Sequence, residues 1–213
     1  MAQAINRRLL EITAVVGFGA VITFSVLALT MDRHLQTISG IAYGASLFCC
    51  SLCSLLYNVF QHRSLRQVFR LLDHSAIFVL IAGTYTPLVI SGIAGPFGIS
   101  LLTWIWSLAL LGIISKLLLR HRLEKAFILL YLALGWLFIW ALPELMVKTP
   151  AIALILLAAG GVVYSIGAIA YWCGTGRWAD SIWHGFVLGG ILLHFGAVLA
   201  LVLAPPIGLP PGG

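Results

Sequence analysis

Seven apolar runs, each long enough to cross a bilayer, occupy most of this chain, at about 11–30, 38–60, 72–92, 98–118, 126–146, 150–172 and 182–204. A helix needs ~20 mostly apolar residues to span the hydrocarbon core. The expected fold is therefore an all-α membrane protein, a bundle of seven transmembrane helices forming a single domain over residues 1–213. Composition points the same way. Only 8% of the residues are charged and 62% are hydrophobic, whereas a soluble domain carries roughly 25% charged residues. So few charges cannot cover a water-facing surface, and the spans leave no length for a soluble domain. The first run is too long for the apolar region of a cleavable signal and lacks a small-residue cleavage site, so it reads as a retained span.

The breaks between runs set the orientation. Alternate breaks must share a side of the membrane. The N-terminus with the breaks QHRSLRQVFR, KLLLRHRLEK and GTGRWADS holds ten Lys and Arg, while the other side holds only Arg33 and Lys148. Short loops rich in Lys and Arg stay in the cytoplasm, so the N-terminus is expected inside and the C-terminus outside. AGPFG at 94–98 is a turn, and the tail PPIGLPPGG ends the last span because its prolines cannot continue a helix. The net charge of +6 sits in these breaks. It is not arrayed with aromatics on one face, as a nucleic-acid site requires. Cys49, Cys50 and Cys53 lie within one apolar run and read as small apolar residues rather than disulfide partners or zinc ligands. Gly40/Gly44 and Gly185/Gly189 have the spacing that lets helices pack closely in lipid.

Ionisable groups inside spans are costly, so each is a candidate for function with a named partner. Ser54 and Asn58 lie near the cytoplasmic end of the second span, four apart and on one face. Asp73 and His74 open the third span, and Asp180 and His184 open the seventh, again four apart. A carboxylate and an imidazole at i and i+4 can ligate one metal ion. Capping of free N–H groups at a helix start is the competing account of either acid alone; convergence at one depth favours a site. His194 lies ten residues beyond His184, ~15 Å further along a helix, where a neutral histidine hydrogen-bonded to a neighbouring helix is expected. Glu11 and Glu144 lie close to span ends, and His62 beyond the membrane face.

The segment RLLDHSAIFVLIAGTYTPL, from Arg70 to Leu88, resembles the third-helix motif of the hemolysin III proteins, within the progestin and adiponectin receptor family. SLLYN (Ser54 to Asn58) and HGFVLGGILLHFGAVL (His184 to Leu199) match in order and spacing. The resemblance implies seven helices with the N-terminus inside, and a zinc site near the cytoplasmic face. Its ligands would be a histidine ending a Ser-x-x-x-His motif on helix two and a His-x-x-x-His pair on helix seven, with an aspartate on helix three holding a zinc-bound water. Ser54, Asp73 and His184 match this pattern, whereas Asn58 and Asp180 stand where two histidines are expected. Either the site is rebuilt as a metal centre from Asp73, Asp180 and His184, or the zinc is lost.

Two functions follow from the resemblance. One is a role in membrane homeostasis or cytolysis. The other is a zinc-dependent hydrolase of a lipid amide, ceramidase-like, in which Asp73 and Ser54 serve catalysis. A pore lacks support, since no strongly polar stripe runs the length of any span. Membrane lipid is the expected partner, and the bacterial inner membrane the expected location.

Overall fold

A computed structural model describes residues 1–60, 62–93, 95–120, 122–174, 176 and 178–204. The tail at 205–213 and Arg177, two features used above, lie outside the described residues. The described chain is helical: α1 (Ala2–Thr30), α2 (His34–Val59), α3 (Arg63–Gly92), α4 (Pro96–Leu119), α5 (Glu124–Gly135), a 3₁₀ segment (Trp136–Ala141), α6 (Leu142–Lys148), α7 (Ala151–Cys173) and α8 (Ala179–Leu203). With α5, the 3₁₀ segment and α6 counted as one span, seven helices are long and apolar enough to cross a membrane. Their outward faces carry Phe18, Trp104, Leu118, Trp140 and Val147, all well exposed. Such an apolar exterior suits lipid and not water. The chain is a multi-pass membrane protein.

Two helices start earlier than hydropathy indicates, α1 at Ala2 rather than 11 and α3 at Arg63 rather than 72. Their first turns carry Arg7, Arg8 and Glu11, and Arg63, Arg66 and Arg70, which a hydropathy window discards. Helical spacing nevertheless pairs Arg7 with Glu11 at 2.9 Å, four residues on. As a result Asp73 lies well inside α3, and capping does not account for it. Asp180 does sit in the first turn of α8, where a carboxylate faces the positive end of the helix dipole.

The fifth span is broken for a covalent reason. Pro143 has no N–H to give, and its ring clashes with the carbonyl four residues back. The turn before it tightens into the 3₁₀ segment. Tyr85 of α3 repairs the break: its hydroxyl accepts from Phe138 N–H at 2.8 Å and donates to the Leu134 and Gly135 carbonyls at 3.0 Å each.

Helix α3 is the hub, packed against α2, α4, α5 and α8, while α8 also touches α1, α2 and α7. The apolar window of α3 is 61% buried, against 22% for α1 and for α4. One core cluster centres on Phe78, Tyr85, Phe127, Phe138 and Leu157, and a second, between α1, α2 and α8, on Phe24, Tyr43, Leu47 and Val198. Gly44 packs α2 onto α1, since a Cβ there would lie 2.9 Å from Val21 N. The Gly185/Gly189 expectation fails: a Cβ on Gly185 would meet nothing within 4 Å. The last helix is tied at both ends, to the start of α1 and to the turn between α1 and α2. Ser181 donates to the Ala2 carbonyl at 3.0 Å, and Arg33 donates to the carbonyls of Leu203 and Ala204 at 3.0 and 2.5 Å.

Candidate functional site

The end of the bundle that gathers the basic residues also gathers the polar side chains of four helices. On α2, Ser54 and Asn58 share a face, and the Asn58 amide donates to the Ser54 carbonyl at 2.9 Å. The Ser54 hydroxyl donates to the Asp73 carboxylate on α3. The second carboxylate oxygen of Asp73 lies 3.4 Å from His74 Nδ1. On α1, Asn6 donates to Asn58 Oδ1 at 3.0 Å, and its own Oδ1 lies 2.7 Å from His184 Nδ1 on α8. An amide oxygen can only accept, so Nδ1 of His184 carries the proton and Nε2 is left as an acceptor. The result is a directional chain running from His184 through Asn6 and Asn58 to the α2 backbone. Ser54 and Asp73 sit beside it.

Asn6 was missing from the sequence reading, which began the first span at 11. It is 6% exposed. A signal was present. The buried face of α1 is Ala2, Asn6, Leu10, Thr13, Gly17, Ala20 and Phe24, a run spaced by four and three. Extending that period backwards from Phe24, rather than following hydropathy, places Asn6 on the inner stripe.

These groups, Asn6 excepted, line a cavity of about 240 Å³. Ser54, Asn58, Asp73, His74, Asp180 and His184 surround one part of it. The Arg70–Glu124 ion pair, 2.7 Å between charged atoms, borders the same part. Further along, Ile77, Leu80, Ile81, Val187 and Leu157 make the wall apolar, and Trp136, Phe138, Tyr164 and His194 line the far part. His194 places Nε2 3.2 Å from the Leu157 carbonyl on α7, as a neutral interhelical histidine should. His62 is exposed at the start of α3 and is not part of the lining.

All five residues singled out in advance (Ser54, Asn58, Asp73, Asp180 and His184) border this cavity. The donor set does not fit zinc as it stands. Zinc takes three or four ligands from His, Cys, Asp and Glu, and among the described residues no three such side chains are grouped to hold one ion. Asn58 supplies an amide in place of an imidazole, and Asp180 is exposed. Amides are poor zinc ligands, and here Asn58 Oδ1 accepts from Asn6 while its N–H donates to the Ser54 carbonyl.

Comparison with known proteins identifies the family. The family model described as "Haemolysin-III related" matches residues 8–195. Hemolysin-3 of Bacillus cereus is 39% identical over 193 residues, covering 88% of each chain. The Hemolysin-3 homolog of Bacillus subtilis (strain 168) is 35% identical over 187 residues, again covering 88% of each. The monocyte to macrophage differentiation factor of Homo sapiens is 24% identical over 195 residues, covering 88% of this chain and 80% of that protein. With most of its length matched by the family model and by two bacterial relatives above 30% identity, the chain belongs to the haemolysin III-related family.

Proposed function

We propose that this protein serves membrane homeostasis by admitting an amphiphile from the bilayer into the cavity between α2, α3, α5, α7 and α8. The polar group would meet Ser54, Asn58, Asp73 and His184, and the apolar part would lie along Ile77, Leu80 and Val187. The observation that carries this reading is the polarity gradient of the cavity wall. Ligand sites in proteins are mostly apolar with a few convergent polar groups, and here the two parts are separated as they are in a lipid. The printed name of the Bacillus cereus relative brings in cytolysis. A mostly apolar wall does not supply the water-filled path that lysis by conduction requires, so homeostasis is preferred. Bacterial relatives support a bacterial inner membrane as the location. Native mass spectrometry of the purified protein is the test, with Ile77→Trp narrowing the cavity. The unmodified protein should carry a bound amphiphile and the variant should not; equal occupancy would defeat the proposal.

The zinc-dependent lipid amide hydrolase remains the second reading. It is favoured by the placement of Ser54, Asp73 and His184 around one cavity. Metal analysis separates the two. Little zinc is expected in the unmodified protein. Substituting Asn58→His and Asp180→His should raise occupancy well above it. Stoichiometric zinc in the unmodified protein would put the hydrolase first.

A further inference from the structure

The far part of the cavity has polar chemistry that membrane packing does not use. His194 lies ten residues beyond His184 on α8, which is ~15 Å of helix. A charge at that depth is expensive, so the ring is neutral. Its Nε2 faces the Leu157 carbonyl at 3.2 Å, and a carbonyl only accepts, so Nε2 carries the one proton. Nδ1 is then a bare acceptor, and no protein donor meets it among the described residues. The edge of the Tyr164 ring packs against the imidazole, with centroids 5.1 Å apart. The Tyr164 hydroxyl likewise has no hydrogen-bond partner among the described residues. Both residues line the cavity.

The backbone has been shaped to seat these two rings. A Cβ on Gly160 of α7 would fall 2.3 Å from His194 Cδ2, and one on Gly190 of α8 would fall 2.7 Å from the Tyr164 ring. Each helix thus leaves a side-chain-sized gap for the polar aromatic of the other. If the site needed only apolar filling, a phenylalanine or leucine pair would supply it without two polar atoms in hydrocarbon.

We propose that His194 and Tyr164 form a second hydrogen-bonding subsite, deep in the membrane, which takes a hydroxyl carried on the apolar part of the amphiphile about 15 Å from its head group. Nδ1 of His194 accepts the proton of that hydroxyl, and the Tyr164 phenol donates to its oxygen. This assignment rests on the cavity being the amphiphile site and adds what the amphiphile must carry. Occupants with a hydroxyl at that distance are favoured over plain alkyl chains.

The test uses the full chain in lipid nanodiscs, with equilibrium binding of the α,ω-diol of dodecane measured against dodecanol. The diol should bind about tenfold more tightly, the effect of one to two neutral hydrogen bonds. The α,ω-diol of hexane, too short to reach both ends, should gain nothing over hexanol. Tyr164→Phe keeps the ring and removes only the hydroxyl, so it should fold and lose most of the preference. His194→Phe should abolish the preference. Equal binding of diol and alcohol by the unmodified protein, or an undiminished preference in Tyr164→Phe, would overturn the subsite. Binding of neither compound would remove the cavity proposal along with it.

Discussion

Asn6 joins two groups that do not bond one another, the amide oxygen of Asn58 and Nδ1 of His184. Removing it takes one hydrogen bond from each, at about 0.5–1.5 kcal/mol per bond in proteins generally. Interhelical hydrogen bonds in membranes average nearer ~0.6 kcal/mol because the unfolded reference also finds partners. Asn6→Ala should therefore destabilise by roughly 1–2 kcal/mol in a reversible unfolding assay in detergent, and Asn6→Leu by no less. A loss below the assay error would show that the network is not formed. The rest of the site was legible at this scale. Ser54, Asp73 and His184 announced themselves as polar residues in apolar runs, and their spacing placed them on inward faces. Asn6 did not, because its neighbours Arg7 and Arg8 made that stretch look like a tail. The competing account of Asp73 as a cap fell for the same reason, since the basic turns preceding it are helix.

At the scale of elements, the fifth span shows how one residue compensates another helix's defect. Pro143 breaks the α-helical ladder, and the three hydrogen bonds of Tyr85 reclaim the backbone groups that the 3₁₀ segment leaves. Tyr85→Phe keeps the ring in its packing and removes all three. The expected cost is about 1–3 kcal/mol, with faster hydrogen exchange at the amide of Phe138 as its local signature. Unchanged exchange there would mean that the tyrosine is only packing. Hydropathy gave this span its place, and Pro143 was visible as a break near its end. The 3₁₀ segment was not legible, because the partner that makes it tolerable lies 53 residues away. Long-range compensation of this kind leaves no local pattern. The glycine pairs teach the same lesson: Gly44 and Gly185 look alike in sequence, and only the first has a neighbouring backbone to meet.

For the whole molecule, the seven helices and their alternation were plain from seven apolar runs, whereas the order of packing around α3 and α8 was not. The proposed orientation, N-terminus in the cytoplasm, comes from ten basic residues at one end and two at the other. Those two have structural tasks. Arg33 holds the carbonyls that end α8, and Lys148 pairs with Glu144 at 2.7 Å while lying within 3.5 Å of the Ile93 carbonyl. Both complement the negative end of a helix dipole, so the asymmetry is sharper than the bare numbers suggest. A reporter inserted after Arg122 should read as cytoplasmic and one in the turn at 31–33 as external; the reverse result would invert the bundle. The tie between the first and last helices also imposes a schedule on synthesis. Asn6 emerges 178 residues before His184, and at ~5–20 residues per second the ribosome takes roughly 10–35 s to deliver its partner. Throughout that interval Asn6 lacks its partner on α8. A nascent chain released before Ala179 should accordingly be cleared by membrane proteases much faster than the full chain in a pulse-chase.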